Sequence, residues 1–115
     1  MSSSALLSPD SSGVCTLKIP ADKVAHGIIS QALLTAPGLR ATLFKFAPGQ
    51  ELSEHTSTAR VLVQVVSGRC EFSVKGEPHV IGPGELLHLP PKAPHAVRAL
   101  DEMELLVIQA MPPAK

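Results

Sequence analysis

From about residue 38 onward, apolar and polar positions alternate in short runs, and glycine and proline break the runs at regular intervals. Leu39–Ala47 sets Thr42, Phe44 and Phe46 on one face and Ala41, Leu43 and Lys45 on the other, the period of a half-buried strand. Pro48-Gly49 turns the chain, and Glu51–His55 reads as a short strand. Arg60–Val66 is rich in β-branched residues, and Ser67-Gly68 follows as a tight turn. Arg69–Val74 returns with Cys70, Phe72 and Val74 on one face, then turns at Lys75-Gly76. His79–Ile81, Glu85–Leu89, His95 to about Ala99 and Met103–Ala110 complete the series, separated by Gly82-Pro83-Gly84, Pro90-Pro91 and Asp101-Glu102.

The first third is less regular. Residues 1–13 are Ser-rich with little apolar content and read as a mobile tail. Val14–Ile19 alternates loosely up to Pro20 and reads as a strand. Val24, Ile28 and Leu33 could form a helical stripe, but Gly27 interrupts it and Ile28-Ile29 favours extended backbone, so a strand is expected from about Gly27 to Leu34. Ala36-Pro37-Gly38 closes this part. The sum is about nine or ten short strands with turns roughly every 8–12 residues, the texture of a sandwich or barrel.

Composition narrows the classes of function. The 115 residues suit one domain, and 44% apolar content suffices for a packed core. Ten basic and ten acidic residues cancel, and no basic run offers nucleic acid a footprint. No apolar stretch reaches the roughly 20 residues that span a bilayer, so no membrane partner is expected. Cys15 and Cys70 form no CxxC pair and no leader pattern is visible, which reads as a reduced, cytoplasmic protein. Aromatic residues are 3% of the chain, too few for a carbohydrate platform of stacked rings. Neither a GxSxG elbow nor a Walker loop occurs.

Four of the five histidines fall between positions 55 and 95. Two glycine-punctuated segments in that span resemble the paired motifs of the cupin family. The first motif has the form G-x5-H-x-H-x3–4-E-x6-G. Gly49, His55 and Gly68 match it, while Ser57 stands at the second His and Val61 at the Glu. The second has the form G-x5-P-x-G-x2-H-x3-N. Gly84, Pro90 and His95 match it, while Lys92 stands at the Gly and Ala99 at the Asn. The resemblance covers roughly residues 38–110. It implies an all-β, single-domain, RmlC-like fold: a double-stranded β-helix, or small jelly-roll barrel. The organisation expected is a tail over 1–13, N-terminal strands over 14–37 packing on the barrel or on a dimer partner, and the barrel over 38–111.

In family members with complete motifs, three His and one Glu hold a divalent metal inside the barrel. Imidazoles with one carboxylate suit first-row ions such as Mn, Fe, Ni or Zn. This chain retains His55 and His95 as metal candidates, an incomplete set. Phe44, Phe46, Ser57, Val61 and Val97 are then expected to line a pocket, with Gln64, His79 and His88 as supporting groups around it. Ser57 and Val61 make that pocket larger and less polar. Two functions are consistent with the residues: a module that binds a small organic molecule in the barrel, or a metal-dependent cupin enzyme of the dioxygenase or isomerase type with a non-standard ligand set. A homodimer is expected, because the apolar stretch 14–35 is long for a monomer of this size and family members pair through edge strands.

Overall fold

The computed structural model describes residues 5–19 and 27–112. Within them the chain forms nine strands and no helix: β1 (Ile28–Ala36), β2 (Leu39–Phe46), β3 (Glu51–His55), β4 (Arg60–Ser67), β5 (Cys70–Val74), β6 (Glu77–Ile81), β7 (Leu86–Leu89), β8 (His95–Ala99) and β9 (Met103–Ala110). They make two sheets, one ordered β1-β2-β9-β4-β7 and the other β3-β8-β5-β6, with every pairing antiparallel. This is the small jelly-roll barrel that the strand punctuation and the family resemblance both imply.

Only β1–β2 and β5–β6 are hairpins between consecutive strands. Lys75 and Gly76 join the second pair, both at positive φ (53° and 80°), the backbone that a two-residue hairpin loop with the right twist requires. The turn at Ser67-Gly68 is different. It carries the chain from β4 in one sheet to β5 in the other. Gly68 has φ 76°, and a Cβ there would press on the Glu102 carbonyl and come within 2.8 Å of Met103 Cβ, so no side chain fits.

The inner faces of the two sheets meet in a core that includes Phe46, Val63, Val65, Cys70, Phe72, Leu89, Met103 and Leu105. Each of the Phe, Val, Leu and Met side chains contributes about 1.5–3 kcal/mol when buried from water. A second, smaller core lies elsewhere, where Ile19, Leu33 and Leu43 pack with Cys15, Ile29, Ala41, Val66 and Leu106. Leu43 and Leu106 alternate with the inward Phe44 and Leu105, so this cluster sits on the outer face of the five-stranded sheet. On β4 the alternation places Val65 in the inner core and its neighbour Val66 in the outer one, just before the ladder with β9 shifts register between Val65 and Ser67.

The N-terminal segment supplies the cover, and here the structure corrects the sequence reading. Val14–Ile19 is not a strand. Val14 is fully exposed, while Cys15 and Ile19 plug the outer cluster. The Ile19 amide donates to the Glu104 carboxylate at 3.0 Å instead of joining a ladder. A side chain 85 positions away decides this, which no local pattern can report. Of the tail over 1–13, Leu6 and Leu7 donate to the Ala32 and Leu33 carbonyls of β1 at 3.2 and 2.8 Å. The strand expected from Gly27 is β1; the earlier part of that ambiguous segment, including Val24 and His26, lies outside the described residues. Among residues 27–34 every apolar side chain is buried or half-buried within the single chain.

Candidate functional site

A cavity of about 180 Å³ lies between the sheets, walled by Phe44, Phe46, Val61, Val63, Leu89, Leu105, Val107 and Gln109 of the five-stranded sheet and by Leu52, His55, Phe72, His95 and Val97 of the other, with Ser57 beside them. All five expected pocket residues and both retained histidines border this one space.

β3 shows how His55 reaches it. In unbroken alternation Leu52 and His55 would face opposite ways. The ladder with β8 slips by one residue between them, pairing Leu52 with Val97 and His55 with His95, and both side chains turn inward. The same slip leaves Glu51, Ser53 and Glu54 on a separate outer concavity with Glu71 and Arg98, which form an ion pair at 2.9 Å. No carboxylate therefore enters the cavity from β3.

The two imidazoles pack edge to face, their centroids 4.2 Å apart at 63°. His95 is buried at 8% exposure and lies 6.4 Å from the Phe72 ring, whereas His55 is exposed at the rim. Each Nδ1 lies 2.8 Å from a backbone carbonyl two residues back, Ser53 for His55 and Ala93 for His95. A carbonyl only accepts, so each Nδ1 carries its hydrogen, and in the neutral ring each Nε2 keeps a lone pair. Among the described residues no buried side-chain nitrogen or oxygen lacks a partner; the His95 Nε2, which bonds to no protein group, therefore reaches the open space of the cavity.

Ser57 follows β3 in the loop. Its Oγ accepts from the Ala59 amide at 3.1 Å, and its carbonyl accepts from the Lys92 amide at 2.7 Å. This last bond ties the two motif segments together. Lys92 has φ 70°, so the conformation that the family motif gives to glycine persists with a lysine in it.

Three expected supporting groups lie elsewhere. Gln64 alternates with the inward Val63 and Val65 and is exposed on the outer face. His79 is exposed on β6, an edge strand. His88 is exposed on β7, its Nε2 2.9 Å from the Arg60 guanidinium. Strand alternation points Gln64 and His88 away from the barrel interior, whereas His79 shares a face with Ile81 and pairs with Phe72 but lies exposed at the sheet edge, outside the cavity wall. Gln109 is the polar residue that the sequence reading missed. It shares parity with Leu105 and Val107 on β9, and its Cα pairs with that of Val61, the family carboxylate position. One polar residue on an otherwise apolar strand face was the available signal.

The donor set does not fit the family metal. Two imidazoles, the Ser57 hydroxyl and the Gln109 amide border the cavity, and among the described residues no carboxylate joins them to offset an ion's charge in an apolar barrel. Among the described residues no three His, Cys, Asp or Glu side chains come together as a ligand group. Cys70 offers no nucleophile either: it is fully buried in the core, and burial pushes its thiol up from 9.0 to about 11.

An antiparallel two-sheet barrel with an interior pocket and motif residues at its rim defines the cupin class. The cupin domain family matches residues 42–109, and the chain belongs to that family. A search of curated proteins finds no match. Among solved structures, the chain is similar to a conserved protein of unknown function from Streptococcus pyogenes, with 25% identity, TM-score 0.77, and coverage of 97% of this chain and 98% of that one. An RmlC-like cupin from Shewanella frigidimarina aligns at 24% identity and TM-score 0.71 over 81% of this chain and 82% of its own. A cupin conserved barrel protein from Leptotrichia buccalis is 33% identical with TM-score 0.71 over 76% of this chain, which spans 42% of that protein.

Proposed function

We propose that this cupin is a binding module that takes a small organic molecule into its barrel without a metal ion. The observation that carries this reading is the cavity wall at two family ligand positions, where Ser57 and Val61 present a hydroxyl and an apolar side chain. A metal would need an imidazole and a carboxylate there. An apolar cavity of about 150 Å³ in a protein admits benzene. The 180 Å³ here therefore suits a ligand the size of one six-membered ring with a substituent. The apolar walls favour its body by the area they remove from water, and the few polar groups orient it.

The test is an NMR titration of chelator-treated, isotope-labelled protein with fragment-sized compounds. Shifts at the Val61, Val97 and Val107 methyls are expected without added metal. Val107→Phe fills the cavity from β9, and it should abolish the shifts at Val61 and Val97. Binding that appears only after Mn, Fe, Ni or Zn is restored would overturn the reading.

The alternative is a metal-dependent enzyme with a non-standard ligand set. Gln109 would have to supply the third protein donor, and its neutral amide brings no charge to offset the ion's. Near-stoichiometric metal on elemental analysis, lost in His55→Ala and His95→Ala, would favour this alternative. A homodimer stands as a proposal for light scattering. Within one chain the apolar side chains of residues 27–34 are buried or half-buried, and β1, which carries them, is an edge strand of the five-stranded sheet.

A further inference from the structure

We infer that the ligand of this cavity is a small uncharged molecule bearing a hydroxyl on an apolar body, its hydroxyl hydrogen accepted by the Nε2 of His95. This rests on the reading that the barrel binds an organic molecule, and it names the chemistry of that molecule.

The first observation concerns charge. Among the described residues no Asp, Glu, Lys or Arg borders the cavity. An ionic ligand would leave water without a counter-charge, at a cost that apolar contacts of this extent do not offset. The second concerns hydrogen-bond direction. Both imidazoles donate through Nδ1 to fixed backbone carbonyls, at 2.8 Å each. The His95 Nε2 is then an acceptor in the cavity wall, and among the described residues no protein donor bonds to it. An acceptor that a bound molecule shuts off from water favours a ligand that brings a donor and penalises one that does not. The third concerns Ser57. Its Oγ already accepts from the Ala59 amide, which leaves the hydroxyl hydrogen to give. A hydroxyl both donates and accepts, and so answers an imidazole lone pair and a serine O–H together. An ether answers only the second, and an ammonium or carboxylate brings a charge that nothing here balances.

The experiment uses four probes of about equal size in chelator-treated buffer at neutral pH: phenol, anisole, benzoate and benzylamine. Titration is followed by isothermal calorimetry and by the histidine ring nitrogen resonances. Phenol should bind about tenfold more tightly than anisole, the ratio expected when a buried acceptor is left unpaired. The His95 Nε2 resonance should move on phenol binding and stay in place with anisole. In His95→Phe the phenol preference should vanish while anisole binding persists. Should that variant fail to fold, the wild-type affinity ratio and the Nε2 shift decide the question. Equal binding of phenol and anisole would overturn the inference and leave the apolar binding module standing. Tightest binding of benzoate or benzylamine would overturn it as well. If none of the four shifts the cavity methyls, both the inference and the binding reading fall.

Discussion

The two faces of the five-stranded sheet solve the same problem in opposite ways. Both are apolar, and both carry polar side chains among the apolar ones. On the outer face Cys15 and Ile19 fill the space over Leu33 and Leu43. The buried Glu104 spends both carboxylate oxygens there, one on the Ile19 amide at 3.0 Å and one on the Ser67 hydroxyl at 3.1 Å. Lys45, its cross-strand neighbour, reaches out to Glu102 at 3.9 Å. On the inner face a cavity of about 180 Å³ stays open, and the His95 Nε2 faces it with no partner among the described residues. Polar groups that are fully used hold a fold together, and groups left available are where a ligand can be recognised.

The contrast can be broken most sharply on the outer face. Glu104→Ala strands the Ile19 amide and removes the carboxylate beside Lys45, and it should cost about 3 kcal/mol in denaturant unfolding. The cavity should still bind its probes at low temperature, because no cavity-lining residue is touched. A loss that small-molecule binding fully tracks would mean that the two faces are not independent.

On the inner face, Ser57→His with Val61→Glu rebuilds the family donor set. That variant should acquire a stoichiometric Mn, Fe, Ni or Zn by elemental analysis, with a metal-dependent gain of about 2.7 kcal/mol at one hundred times the dissociation constant. No metal uptake would show that the barrel geometry, and not the missing donors, excludes the ion.

Cys70 supplies a pH test of the core between the faces. Below its ordinary value of 9.0, native and unfolded thiols both hold their proton and contribute no pH dependence. Between 9.0 and about 11 the unfolded chain releases the proton while the buried thiol keeps it, so stability falls as pH rises through that window. Cys70→Ala should flatten this limb relative to the wild type. The native thiol should also resist alkylation that the half-buried Cys15 undergoes.

The smallest effect is a gain. Lys92 holds a left-handed backbone that costs a non-glycine residue about 1–2 kcal/mol. Lys92→Gly should recover about 0.5–1 kcal/mol after the added entropy of the unfolded chain, read as a rise in thermal midpoint. A fall would mean that the lysine side chain contributes more than its backbone costs.

Much of this was legible in the sequence, for reasons visible in particular residues. The period of two in Leu39–Phe46 placed Phe44 and Phe46 on one face before any partner strand was known. The motif spacing brought His55, Ser57, Val61 and His95 to one space, although Leu52 joined them only through the slip in β3 that alternation does not predict. Gln109 was readable by parity, yet its relevance depended on lying opposite Val61, a partner 48 positions earlier in the chain.

By itself the sequence determined the strands, most of their turns and which side of each strand is apolar, because these follow from local sterics and from the alternation of side chains. Only the tertiary structure decided the rest. It assigned β4 and β5 to different sheets across a glycine whose Cβ would strike the start of β9. It turned Val14–Ile19 from an expected strand into the cover of an outer core, through one hydrogen bond to Glu104. It also sent Gln64 and His88 outward, left His79 exposed at a sheet edge and left His95 open to the cavity. The physical reason is common to all of these: they depend on which distant segment lies opposite, and every strand pairing except two hairpins is non-local.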